Sequence, residues 1–350
     1  MKRIFALTDY KDNFGSKWKA KPYRSGFDKL LLQEYFSKYG FETEFVQLKD
    51  APAKKNNMKG ELVIYTSSEE TGLWYKSYIE DILLYLVQAG AEIIPHFSFL
   101  RANNNKVFME LLMAQTLGMD LIGKESNVYG TLEEVVLDIS LNKVVFPCVI
   151  KSAAGSMSRG VRLVRTEKEL IKTVKKISRS SKLIHELKEL GREIKHPGYR
   201  RESKYQKKFI VQPFVPGLKN DWKILIYGDH YYILYRGIKE RDFRASGSHF
   251  NYKAGAMSEF PIHVLDTVEQ IYKKLDVPHL SLDFAYDGKR TYVHEIQAIY
   301  FGTSTLEFSE DYYVKKDGNW TTEKKEFDEE EEYVWGLVKY LNNHFTMLEP

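Results

Sequence analysis

Two short segments, far apart in the chain, constrain it most. The first runs Phe146-Pro-Cys-Val-Ile-Lys151-Ser-Ala-Ala-Gly155-Ser156-Met-Ser-Arg-Gly160-Val161, and the second joins Leu280-Ser-Leu-Asp283 to Tyr292-Val-His-Glu295-Ile-Gln297. In the first, an apolar strand ends at a lysine, a loop of small residues follows, and Val161-Arg-Leu-Val164 alternates like a second strand. Strand, loop and strand make a hairpin flap. A Walker A loop is excluded, because there Lys-Ser/Thr follows the second glycine and a helix N-terminus receives the phosphates. Backbone N–H groups of a glycine loop beside a lysine still suit phosphate. In the second segment two carboxylates sit in apolar runs, where an unpaired charge is costly. Asp283 is then either a capped turn carboxylate or one of a set of hard oxygen ligands for Mg²⁺. Taken together, the two segments read as a nucleotide and metal site.

A lysine before a flap, with carboxylates on a later hairpin, resembles the ATP-grasp superfamily. Further segments extend the resemblance over roughly residues 100 to 310: Asn105-Lys106-Val-Phe-Met-Glu at a helix start, and Phe209-Ile-Val-Gln212-Pro-Phe214-Val215-Pro-Gly217. Asp221-Trp-Lys223, Leu234-Tyr-Arg236 and Asp242-Phe-Arg244-Ala-Ser-Gly247 look like segments of the ligases that add glutamate to ribosomal protein. The resemblance implies ATP phosphates on Lys106 and Lys151 under a flap that includes Gly155, Ser156 and Gly160. It implies adenine at the hinge formed by Gln212, Phe214 and Val215. Asp221 would hold ribose hydroxyls or, as readily, pair with Lys223. Asp283, Glu295 and Gln297 would hold Mg²⁺ or Mn²⁺, and Arg236 and Arg244 would bracket the transferring phosphoryl group. One departure stands out: the family's Glu-x-Asn metal motif reads Glu295-Ile-Gln297 here, one methylene longer at the amide.

The implied fold is α/β with α+β subdomains, an ATP-grasp fold behind a Rossmann-like domain. At 350 residues the chain suits two or three such units. Residues 1–100 alternate strand and helix like a small parallel sheet: Arg3-Ile-Phe-Ala-Leu-Thr, a helix from Phe27 stopped at Gly40, Phe45-Val-Gln-Leu, Leu62-Val-Ile-Tyr, a helix from Tyr75 to Val87, then Glu92-Ile-Ile. Residues 101–210 would carry the flap and a basic helical insertion, and 211–350 the metal hairpin and a C-terminal helix. The loop Thr66-Ser-Ser-Glu-Glu-Thr-Gly72 reads as an acceptor contact or as a hydroxyl-rich helix cap.

From Lys168 to Lys208 lysines and arginines dominate, on apolar spacing that fits one or two amphipathic helices ended by Gly191 and Pro197. Such a run is a solvated face or a funnel for an anionic acceptor. The acidic run before Tyr333 reads as a solvated helix start that suits the macrodipole. With Lys+Arg 52 against Asp+Glu 48, the net charge of +4 gives no nucleic-acid signature. The sole cysteine, Cys148, lies in an apolar strand and excludes an intramolecular disulfide. The N-terminal apolar run is too short for a signal peptide and no stretch approaches a membrane span, so a reducing cytoplasm is expected. His249 and His294 read as packing residues or general bases.

The activity implied by the resemblance is ATP-dependent joining of a carboxylate to an amine through an acyl phosphate. One of the two substrates would be a peptide or an acidic saccharide, with no nucleic acid or membrane partner; the oligomeric state is open. A phosphotransferase and a non-catalytic ATP-binding regulator are the alternatives.

Overall fold

The computed structural model describes residues 2–155, 160–240, 242–245 and 250–344. Its first elements are β1 (Lys2–Thr8), α1 (Lys29–Lys38), β2 (Phe41–Gln47), α2 (Lys55–Met58), β3 (Leu62–Tyr65), α3 (Trp74–Gln88) and β4 (Glu92–Ile94). The strands form a sheet in the order β2-β1-β3-β4, parallel at every pairing. Asp28 caps α1 by accepting from the Leu30 and Leu31 N–H groups, and Gly40 follows the helix at φ 79°. A parallel sheet must be covered on both faces. Ile79, Leu83 and Leu86 of α3 cover one face, against Phe5 and Val63. Leu32 and Phe36 of α1 cover the other, against Ile4 and Ile64.

The next stretch comprises α4 (Phe97–Ala102), α5 (Lys106–Thr116), α6 (Met119–Ile122), β5 (Asn127–Tyr129), α7 (Leu132–Ser140), β6 (Cys148–Ser152), β7 (Val161–Val164), α8 (Glu167–Ile177), α9 (Leu183–Lys195) and β8 (Phe209–Pro213). Its sheet is antiparallel, in the order β5-β8-β6-β7. The expected hairpin is β6–β7, with Lys151 opposite Val161. Leu170 and Val174 of α8 pack on Cys148 and Ile150. Burial pushes the Cys148 thiol up to about 12, which suits a core residue and not a nucleophile. Gly191 does not end a helix: α9 runs through it to Lys195. Part of the basic segment is neutralised locally, since Arg179 and Lys204 pair with Glu186, Arg192 with Glu189, and Arg201 with Glu193.

The last stretch holds β9 (Asn220–Tyr227), β10 (His230–Gly237), β11 (Lys253–Ala254), α10 (Leu265–Leu275), β12 (His279–Tyr286), β13 (Thr291–Gln297), α11 (Ser304–Phe308), β14 (Asp311–Lys316), β15 (Asn319–Lys324) and α12 (Glu329–His344). Six strands run β13-β12-β9-β10-β14-β15, and β11 pairs with β10. One face of this sheet carries Trp222, Ile224, Leu280, Leu282 and Phe284 into the largest core cluster, under Val268 and Ile271 of α10 and Met109 and Met113 of α5. The hairpin β14–β15 was not anticipated. Its turn, Asp317-Gly318, has both residues at positive φ, 49° and 80°, the conformation that an Asp-Gly pair favours.

The acidic start of α12 differs from a solvated one. Glu330 accepts from Lys17 and from the Asp28 N–H, and Glu332 faces His230 Nδ1 at 3.0 Å and accepts from the Tyr232 hydroxyl. Farther along, Val334, Leu337, Val338 and Leu341 join Ile4, Ala6 and Ile64 in one cluster. The helix that follows the last sheet thus completes the covering of the first.

Candidate functional site

The open face of the six-stranded sheet is polar where it meets the antiparallel sheet. Residues two apart on a strand share a face, and so do directly paired residues. Asp221 and Lys223 therefore face the same way on β9. Arg236 of β10 stands opposite Asp221, Asp283 of β12 opposite Lys223, and Glu295 of β13 opposite Asp283. A row of charged residues crosses four strands, basic against acidic from β10 to β12 and acidic against acidic from β12 to β13. At its centre Arg236 donates from Nε to Asp221 Oδ1 at 2.6 Å and from Nη2 to Asp221 Oδ2 at 2.9 Å. The same Nη2 lies 3.0 Å from Asp283 Oδ2, and Lys223 lies 3.9 Å from Asp283 Oδ1.

Between Asp283 and Phe284 the register of β12 and β13 shifts: Glu295 pairs with Asp283 and Val293 with Phe284, so His294 is the extra residue. The bulge changes the parity of β13. Val293 and Ile296 both enter the core, whereas His294 and Glu295 both line the cavity above the sheet. His294 is pushed well below its ordinary value by burial and then by Lys151, so it is neutral.

The opposite wall is cationic. Asn105 caps α5 by accepting from the Phe108 N–H. In the first turn Lys106 donates to the Gly155 carbonyl at 2.9 Å and lies 3.6 Å from Glu295. Asn104 accepts from the Gly155 N–H at 2.7 Å, so the root of the flap is held from two sides. Gly155 sits at φ 122°, and a Cβ on Gly160 would fall 2.7 Å from Ser152 Oγ, so both ends of the flap need glycine. Lys124 pairs with Glu110 at 3.4 Å, and Glu110 also accepts from Ser126 and from Gln212 Nε2. Lys151 forms no ion pair among the described residues. Burial first, then nearby Lys124, lowers it to about 8.

These walls enclose a cavity of about 350 Å³. Lys106, Lys151, Gly155 and Gly160 line one side, Gln212, Phe214 and Val215 another, and Asp221, Arg244, Asp283 and Glu295 the remainder. Phe214 and Phe243 meet edge to face with ring centroids 6.4 Å apart. A flat apolar ring system suits that end and polyphosphate the lysines.

No protein-family model matches the chain, and no curated protein matches it. Solved structures do. D-cycloserine synthetase DcsG superposes with a TM-score of 0.54 at 12% identity, over 97% of this chain and 99% of that one. A RiPP-associated ATP-grasp ligase from Chryseobacterium gregarium, in complex with ADP and a leader and core peptide, gives 0.50 at 14% identity, over 98% and 97%. The chain has the ATP-grasp fold.

Several expectations drawn from the ATP-grasp resemblance change on this geometry. Arg236 is off the cavity wall, with its guanidinium committed to Asp221 and Asp283; it holds carboxylates in place and does not bracket the cavity. Asp221 pairs with Arg236 and not with Lys223. Burial raises its carboxyl above the usual range, and neighbouring Asp283 adds to the rise. Burial also pushes Asp283 up, but Arg236 and Lys223 outweigh it and hold this carboxyl below the usual range. Arg244 is on the wall, forked onto Asp242 at 3.0 Å for both bonds. Gln297 shares the sheet face of Glu295, paired with Ser281, but does not reach the cavity wall. Ser156 and His249 lie outside the described residues, as do Ser246, Gly247 and Ser248.

The loop after β3 divides its two readings. Glu70, not a hydroxyl, caps α3 by accepting from the Tyr75 and Lys76 N–H groups. Glu69, an exposed residue of the same loop, has its carboxyl pushed up by local desolvation and then by the charge of Glu295. Sequence reasoning missed Lys124, Glu110 and Asn103. Asn103 is buried between Ser67 and the Ile299 carbonyl, tying the first sheet to the end of β13. The Asn104-Asn-Lys106 helix start was the available signal for Asn103; Lys124 carried none.

Asp283 and Glu295 offer only oxygen donors, side by side, and the described residues hold no cluster of three or more carboxylates, imidazoles or thiols that could hold a metal. That donor set fits a hard divalent cation that keeps several waters and takes phosphate oxygens. No helix among the described residues is long and apolar enough to cross a membrane.

Proposed function

We propose that the protein is an ATP- and Mg²⁺-dependent ligase that joins a carboxylate to an amine. The observation that supports this best is the single cavity with lysines on one wall and paired carboxylates on the other. Lys106 and Lys151 bind the ATP phosphates, and Lys124 adds charge behind them. Gln212 is fixed by Glu110 and Ser126, so the backbone of residues 212–215 and the Phe214 ring are the groups that hold adenine. Asp283 and Glu295 would hold Mg²⁺ or Mn²⁺, which would supply charge to offset that of the phosphates. Asp221 keeps Arg236 in place for Asp283. Arg244 leaves Asp242 to meet charge that develops on the transferring phosphoryl group, a task its planar fork suits. The flap excludes water from a hydrolysable intermediate.

In the reaction a carboxylate oxygen attacks the γ-phosphorus and ADP departs, and the amine nitrogen then displaces phosphate from the acyl carbon. The acceptor is a peptide or an acidic saccharide. The chain divides into units 1–100, 101–210 and 211–350, with α12 shared between the first and the last.

Isotope transfer tests the reaction. With an ¹⁸O-labelled carboxylate substrate, label is expected in released phosphate, and ADP forms only when both carboxylate and amine are present. Label in AMP means an adenylate and defeats the reading. A stably phosphorylated acceptor identifies a phosphotransferase, and ATP binding without turnover across candidate acceptors a regulator.

A further inference from the structure

Helix α9 is mounted the wrong way round for a surface helix. None of its residues is buried, and none belongs to a hydrophobic cluster of the core. Leu183 is 69% exposed, Ile184 55%, Leu187 56% and Ile194 77%, with Leu190 at 39%. These side chains share one stripe. The charged side, about 120° round the helix, is the one attached to the protein: Glu186 to Arg179 and Lys204, Glu189 to Tyr199 and the Glu202 N–H, Glu193 to Arg201. An ordinary surface helix buries its apolar stripe and exposes its charges. A helix of this length is marginal in water without a packed face, and an exposed apolar stripe marks a contact surface.

We propose that the stripe is covered by α9 of a second copy of this chain, antiparallel about a two-fold axis. The steps from Leu183 to Leu187, Leu190 and Ile194 are four, three and four residues, the seam spacing of a two-stranded coil. Reversed, the series is unchanged, so the stripe is complementary to itself, as an isologous contact requires. Leu187 then meets Leu190 of the other copy, and Leu183 meets Ile194. Ile184 falls beside the other copy's Gly191, where the missing side chain leaves open space. Glu186 and Glu193 flank the seam and would repel across it, but Arg179, Lys204 and Arg201 already neutralise them. The inward charged face is what makes the outward apolar face able to pair with itself.

The helix is only about 20 Å long, so the contact is smaller than the roughly 1,200 Å² of a standard specific interface. The dimer is therefore a weak, reversible one. Sedimentation velocity of the full chain between about 1 and 300 μM is expected to show a monomer shifting to a dimer, and Leu187→Glu to abolish the shift with an unchanged circular dichroism spectrum. Orientation is read by disulfide trapping. An equal mixture of Leu183→Cys and Ile194→Cys proteins cross-links, and Leu183→Cys alone does not. A wild type that stays monomeric throughout, a dimer that survives Leu187→Glu, or ready cross-linking of Leu183→Cys alone overturns the proposal. So does a monomer that co-sediments with phosphatidylserine–phosphatidylcholine vesicles through this stripe, which would make a lipid surface the occupant.

Discussion

At the level of single residues, Lys151 carries the sharpest expectation. Its ammonium forms no ion pair among the described residues and is lowered to about 8, so it is ready to accept phosphate and close to losing its proton. The protonated form attracts ATP. As pH rises through about 8 the free protein loses that charge, and ATP affinity measured by calorimetry should fall, by up to about tenfold per pH unit above it. Lys151→Arg, whose charge does not titrate, should flatten the profile, and Lys151→Ala should weaken binding at every pH. Arg236 makes a different prediction. Removing it with Arg236→Met strands two buried carboxylates, and chemical denaturation should record a loss of about 3 to 5 kcal/mol. Lys151 and Glu295 were legible in the sequence because a charge set in an apolar run is costly unless a ligand or an opposite charge meets it. Arg236 was legible only as a charge. Which groups it would face depended on the pairing of β9, β10 and β12, which no local pattern records.

Elements were easier to read than their attachments. The strands and helices of the first sheet follow from apolar spacing and from Asp28 and Gly40, and α8 and α9 from their stripes; the direction in which α9 faces is a tertiary fact. The bulge in β13 was equally hidden, since alternation along Tyr292-Val-His-Glu295 assigns His294 and Glu295 to opposite faces. Deleting His294 should turn Glu295 away from Asp283 and abolish ATP turnover, whereas His294→Ala should keep the register and much of the activity. Glu295→Gln should fold normally and lose turnover. Gln297→Asn should leave activity nearly unchanged, because position 297 stands off the cavity wall. The start of α12 supplies a pH effect. Burial is the main cause that pushes Glu329 up to about 7 from 4.5. Between those values the folded state holds a proton that the unfolded chain has released, so stability falls as pH rises across the window, by up to about 3 kcal/mol. Glu329→Gln should remove that slope in thermal melts from pH 5 to 8.

For the molecule as a whole, the cavity lies between two sheets, joined by the Lys106–Gly155 and Lys106–Glu295 contacts. The packing of α12 on the first sheet has a consequence for how the chain is made. Ile4, Ala6 and Ile64 share their cluster with Val334, Leu337 and Leu341, so β1 and β3 wait for part of their cover until α12 is synthesised. At ribosomal rates of about 5 to 20 residues per second, the part of that face that α1 leaves uncovered stays bare for roughly ten seconds to a minute. The N-terminal unit should remain sensitive to protease on nascent chains stalled before Glu329 and become resistant once α12 has emerged. A sheet whose strands are made early thus reaches its finished packing only when a helix nearly three hundred residues downstream has been made.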